Sequence, residues 1–210
     1  MRGSEGFAGF TLIEMMVVLA IVMVITASVL VSSNQFNGSI LLRSLASQIG
    51  LSLREAQLYG VSVKQVSGIS DATQAFNSSY GVYFNGANVS QSRGSYYLFA
   101  DTNGNGAYDA GEQLETFNLN NNFKISNLCA ESGTSYTCYG GCPSVLPPGT
   151  TCGGGVVNWL SVSFKRPDPN AHFSTDAGTG VYTGALIVVQ APTGATRAVS
   201  ISSTGLISIL

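Results

Sequence analysis

Gly9 to Val31 reads GFTLIEMMVVLAIVMVITASVLV, an apolar run that carries a single charge, Glu14, close to its start. The roughly 22 residues from Phe10 onward, at about 1.5 Å each, make a helix long enough to cross the hydrocarbon core of a bilayer. After Gly9 neither Pro nor Gly interrupts the run, so a helix can satisfy every backbone polar group internally. The stretch predicts a membrane-spanning helix over residues 10–33. It is too long for the apolar part of a removable secretory signal, and no small-x-small cleavage site follows it. The short polar leader, residues 1–9, carries Arg2, which favours holding that end in the cytoplasm. Glu14 is the costly residue. A carboxylate inside an apolar helix costs about 2.5 kcal/mol or more at the bilayer centre, so it calls for a partner.

The junction Gly9-Phe10 followed by Thr11-Leu12-Ile13-Glu14 and uninterrupted hydrophobic residues resembles the processing site of type IV pilins and type II secretion pseudopilins. The resemblance implies that a prepilin peptidase cuts between Gly9 and Phe10 and methylates Phe10, leaving Glu14 as the fifth residue of the mature chain. It further implies that Glu14 pairs with the α-amino group of Phe10 on a neighbouring subunit during filament assembly. The competing reading leaves Glu14 solvated among lipid headgroups. Farther on, Arg54-Glu55-Ala56, then Gly60-Val61 and Val63, resemble the H-type pseudopilins and related minor pilins.

Composition narrows the function. The chain of 210 residues suits one membrane segment and one globular domain, residues 34–210. Charged residues are only 10% and the net charge is −2, so there is no basic field to hold a polyanion, and nucleic acid is not the expected partner. Abundant glycine, with many Ser, Thr and Asn, indicates a loop-rich β domain. The four cysteines all follow the apolar run and suit an oxidising exterior compartment.

Along the chain, Gly38 is the natural place for a bend. From Ile40 to Tyr59, the residues Leu42, Leu45, Ala46, Ile49, Leu53, Ala56 and Tyr59 recur at three- and four-residue steps, the mark of a helix with one buried stripe. Gly60 suggests a stop, with Val61, Val63 and Val66 opening a strand. Further strands are expected at Tyr80 to Phe84, Tyr96 to Ala100, Val156 to Phe164, Gly184 to Gln190, Thr196 to Ser202 and Leu206 to Leu210. Leu114 to Leu119 and Phe123 to Leu128 read as a hairpin turning at Asn120 to Asn122. Residues 129–155 read as an irregular stapled loop. The expected fold is α+β, an antiparallel sheet or pair of sheets wrapped against the C-terminal half of the long helix. The pilin resemblance implies the same architecture.

Two constellations stand out. Asp101, Asn103, Asn105, Asp109 and Glu112 fall at positions 1, 3, 5, 9 and 12 of a loop with Gly106 at position 6 and the Ala107 carbonyl at position 7, the spacing of a twelve-residue calcium loop. Its flanks look like strands, so the site would sit on a hairpin; the alternative is a polar hairpin tip whose Asn-Gly and Asp-Ala-Gly steps only favour turning. Cys129, Cys138, Cys142 and Cys152 favour two disulfides with three possible connectivities, zinc being a loose match to the spacing. His172 is the only histidine and reads as a surface residue in a loop. No hydrolase elbow, zinc-protease helix or phosphate-cradling loop appears, so no enzymatic activity is expected.

The reading is a subunit of a type IV pilus or secretion pseudopilus. It is held in the cytoplasmic membrane by a single pass with the globular domain outside, reaching the cell surface after assembly, and has other pilin or pseudopilin subunits, the prepilin peptidase and the inner membrane as partners. Two other classes compete with it. A DNA-binding minor pilin for uptake in competence would carry a basic C-terminal stretch, whereas residues 196–210 hold only Arg197. A tethered hydrolase has no catalytic constellation behind it.

Overall fold

The computed structural model describes residues 9–62, 65–66, 76–86, 94–119, 122–147, 149–153, 155–177 and 181–210, with backbone only for 31–37. Helix α1 spans Leu12–Val61. The chain divides into two compact units, Met1–Ser39 and Ile40–Leu210. In the first, every described helical side chain from Leu12 to Leu30 is exposed, and this segment alone among the described residues is long and apolar enough to cross a membrane. Helical conformation continues through Gly38.

The second unit is α+β. Its first sheet has the order β3-β2-β1-β7-β8, built from β1 Ser79–Asn85, β2 Ser95–Asp101, β3 Gln113–Asn118, β7 Trp159–Lys165 and β8 Asp168–Thr175, all antiparallel. The second has the order β11-β10-β9-β4-β5-β6, built from β4 Lys124–Ser132, β5 Ser135–Tyr139, β6 Thr151–Cys152, β9 Gly184–Gln190, β10 Thr196–Ser202 and β11 Ile207–Ile209; only β5 and β6 run parallel. One core joins the helical stripe Leu42, Ala46, Ile49, Leu53 and Ala56 to the inner faces of both sheets, among them Val82, Phe84, Leu98, Val162 and Phe164 from the first and Ile125, Leu128, Ile187, Val189 and Val199 from the second. In β4 a bulge at Ser126 offsets the register, so that Ile125 and Leu128 both reach this core although three residues apart. A polar contact fixes the helix azimuth: the Ser52 hydroxyl donates to the Gln48 carbonyl at 3.1 Å, and the Tyr96 hydroxyl lies 3.1 Å from Ser52 Oγ. Burial drives the Tyr96 phenol up to about 12, the Ser52 contact offsetting only part of that rise.

Five expectations are corrected. Val61 belongs to the helix rather than to a strand, Val66 is buried without strand pairing, and Val63 lies outside the described residues. Gly60 is a packing position, where a Cβ would stand 2.5 Å from the Phe164 carbonyl oxygen. The proposed hairpin at 114–128 does not form, because β3 pairs with β2 at the edge of the first sheet while β4 enters the second. Residues 129–155 are more regular than expected, since β4 runs on to Ser132 and β5 pairs with it. His172 lies on β8, exposed, opposite Ser163 of β7.

Both sheets are also covered on their outer faces. Over the second, Cys129, Tyr136, Cys138, Leu186, Val188 and Ala198 form a separate apolar cluster against which Val145, Leu146 and Cys152 pack. The disulfides Cys129–Cys138 and Cys142–Cys152 hold this cover. The first links directly opposed residues of β4 and β5, and the second closes the irregular loop.

The close approach of helix to strand yields a prediction. Gly60→Ala should destabilise the folded chain by about 1–3 kcal/mol or more, because the methyl meets backbone that cannot swing aside. Thermal unfolding monitored by circular dichroism checks this, with Gly38→Ala, which adds a methyl to the same helix but meets nothing within 4 Å, as the comparison that should not destabilise.

Candidate functional site

At the N-terminal end the helix starts with a cap. The Glu14 amide donates to Thr11 Oγ1 at 3.3 Å, so the Thr11 side chain satisfies one of the orphan donors, and the Met15 amide donates to the Thr11 carbonyl at 3.2 Å in the first intrahelical bond. The Thr-x-x-Glu spacing was a readable capping signal, and it gives Thr11 a role that the sequence analysis did not assign. Glu14 sits in the first turn, where its carboxylate faces the positive end of the helix dipole. Phe10 and Glu14 are both exposed.

The second site is the 101–112 loop between β2 and β3. Asp101 is only 2% exposed; its Oδ1 accepts from the Gly104 amide at 2.7 Å and its Oδ2 from the Gly106 amide and the Ser79 hydroxyl, each at 2.8 Å. Gly104 and Gly106 have φ of 78° and 74°, the left-handed backbone that lets both amides point inward. Asn103 and Asn105 converge with Asp109, each placing Nδ2 2.7 Å from Asp109 Oδ2. Glu112, 6% exposed, is turned to the loop's own ends: its Oε1 accepts from Thr102 N at 2.8 Å and Thr102 Oγ1 at 2.9 Å, and its Oε2 from Asp109 N at 3.0 Å. Asp101, Asn103, Asn105 and Asp109 are thus brought together in one turn, while Glu112 latches that turn shut. Ala107 donates its amide to Asn105 Oδ1 at 2.8 Å.

The loop is fastened to the outer face of the first sheet by a residue between the motif positions. Tyr108 donates its amide to Ser161 Oγ at 3.3 Å and sets its ring 4.8 Å from Tyr83, 5.6 Å from Tyr97 and 5.8 Å from Phe99. The aromatic alternation of β1 and β2 was the signal that could have found this platform. All four cysteines are paired, leaving none free, and among the described residues no three of His, Cys, Asp and Glu gather as a metal cluster. Arg197, on β10, is half-buried.

Compared with known proteins, residues 6–30 match the family model described as the prokaryotic N-terminal methylation motif. No curated protein and no solved structure matches the chain. A prepilin-type motif of this kind supports a type IV pilin-like family and fits pilin and pseudopilin subunits broadly. It implies processing by a prepilin peptidase and assembly with other such subunits, and with the apolar helix it is consistent with membrane anchoring.

The latch geometry makes a prediction that needs no ion. Glu112→Ala strands the Thr102 and Asp109 amides, which should cost about 1–3 kcal/mol in the presence of chelator. Chemical denaturation of the full chain in detergent, read by tyrosine fluorescence, measures it.

Proposed function

We propose that this chain is a minor-pilin-like or H-type pseudopilin subunit, cut between Gly9 and Phe10 and assembled into a type IV pilus or secretion pseudopilus through the N-terminal half of α1. The observation that carries the reading is the coincidence, in one segment, of the Gly9-Phe10 junction and Glu14 with a helix whose every described side chain from Leu12 to Leu30 is exposed. Such a helix cannot remain in water. A bilayer first and neighbouring copies afterwards both bury it, and the charge at Glu14 then finds its partner in the α-amino group of Phe10 on an adjoining subunit. Tethering alone would explain the apolar surface but not the placement of Glu14 one turn from a new N-terminus.

Two measurements on one pair of strains test this reading. In cells with an active prepilin peptidase, the wild-type chain should begin at N-methyl-Phe10 by mass spectrometry, and Glu14→Val should be processed equally but depleted at least several-fold from sheared filaments. A wild-type chain that still begins at Met1, or a variant that assembles like wild type, would overturn it.

We further propose that the 101–112 loop holds calcium, with Asp101, Asn103, Asn105, Asp109 and Glu112 supplying side-chain oxygens and Ala107 its carbonyl. The residue types suit a hard cation, since Asn103 and Asn105 meet Asp109 in one turn and amides of the same turn hold the Asp101 carboxylate. With amide and carbonyl oxygens making up much of the set, the affinity belongs in the extracellular range, about 10⁻⁴ to 10⁻³ M. Calcium would supply charge compensation for Asp101, Asp109 and Glu112 and stabilise the loop; no chemistry is routed through it. At ten times Kd the ion adds about 1.4 kcal/mol of stability. Thermal unfolding should therefore show a higher Tm in millimolar calcium than in chelator, and Asp109→Asn, which keeps an acceptor oxygen but loses the charge, should shrink the difference. Identical midpoints for wild type would reduce the motif to a turn.

A further inference from the structure

Behind the 101–112 loop lies an open cavity of about 440 Å³ between the loop and the outer face of β7 and β8. Its inner wall includes Ser163, which is 2% exposed yet forms no side-chain hydrogen bond among the described residues. Among the described residues no fully enclosed polar side-chain atom lacks a partner, so the Ser163 hydroxyl is reached from the cavity itself. A nearly buried hydroxyl that opens on a cavity and has no protein partner can hydrogen-bond a ligand seated there. The neighbouring strand adds a second hydroxyl: a Cβ built on Gly106 would stand 3.4 Å from Ser174 Oγ and 3.9 Å from Ser163 Oγ, so both face the space that the absent side chain leaves. Lys165 and His172 line the mouth, exposed and without an acidic partner among the described residues. The one carboxylate among the lining residues, Asp101, has its oxygens turned to the Gly104 and Gly106 amides and the Ser79 hydroxyl.

From this arrangement we infer that the cavity binds an anionic monosaccharide, a sugar acid or a sugar phosphate. Lys165 supplies the positive charge for the carboxylate or phosphate, and Ser163 and Ser174 meet ring hydroxyls. The volume falls within the range of small-ligand sites, about 300–1,000 Å³, and a bare phosphate or sulfate ion would leave most of it empty. A neutral, purely apolar ligand would strand the serine hydroxyls and the lysine. The inference is independent of filament assembly, since every residue invoked lies in the 40–210 unit.

Saturation-transfer difference NMR on the full-length chain in a sugar-free zwitterionic detergent tests it, with glucuronate, glucose 6-phosphate, glucose and inorganic phosphate as probes. Glucuronate or glucose 6-phosphate should bind saturably and more tightly than glucose or phosphate, and the better of the two identifies the anionic group. Lys165→Met should raise its Kd about tenfold or more, as loss of a charge-assisted hydrogen bond does. Ser163→Ala, a small change inside a sheet, should weaken binding severalfold with an unchanged Tm. Absence of binding by both anionic sugars, equal binding of glucose, or affinities unmoved in both variants would each overturn the proposal.

Discussion

The second unit depends on burying one helical stripe, Leu42 through Ala56, against the inner faces of two sheets at once. The helix exposes Arg43, Ser47, Leu51 and Arg54 elsewhere, so the stripe is the shared floor on which both sheets rest. Each fully buried Leu or Ile there contributes about 1.5–3 kcal/mol from surface withdrawn from water. Close approach accompanies this burial. Gly60 lets the last helical turn meet the Phe164 backbone, and Gly81 lets the Phe99 ring lie over β1.

Because the inner faces are committed to the helix, the outer faces determine what the irregular segments do. The second sheet is covered by the disulfide-held 142–152 segment, and the first by the 101–112 loop seated through Tyr108. Both covers are built from turn residues rather than from regular structure, so each must be held by specific local contacts. In one case these are covalent bridges, typically worth about 2–4 kcal/mol. In the other they are the Asp101 and Glu112 carboxylates, each accepting several hydrogen bonds from the loop.

This two-sided burial explains what could be read from the sequence and what could not. The helical stripe was legible because three- and four-residue steps survive when only one helix face is covered. Strands β1, β2, β7, β9 and β10 were legible from β-branched and aromatic content, but burial along β1, β2, β7 and β9 is nearly continuous, so alternation could not assign their faces or sheets. Hence β3 and β4, close in sequence and both strand-like, read as a hairpin although they belong to different sheets. Strand β8 hid behind Pro167 and Pro169, whose turn chemistry also masked the strand position of His172. At the loop, the spacing of oxygen-bearing residues was plain, whereas the inward turn of Glu112 toward Thr102 and Asp109 depends on backbone geometry that no spacing encodes. The cavity with Ser163 was invisible for the same reason, since it is formed by a loop crossing strands remote in sequence.

The first half of α1 obeys a different rule. Its composition is apolar on every side, so it has no periodicity from which a preferred face could be read, and every described side chain from Leu12 to Leu30 is exposed. A helix of that kind is suited to environments that are uniform around it, such as lipid, or to packing among several copies, which surround it equally. Glu14 is the exception to that uniformity, and Thr11 holds the turn that carries it. In lipid the carboxylate is a penalty that position near the headgroups can relieve; among copies it is a penalty unless an amine arrives at the right depth. Under the proposed assembly, cleavage after Gly9 creates that amine one turn away, so the reaction that exposes a new N-terminus also creates the charge that makes packing more favourable than remaining in the bilayer.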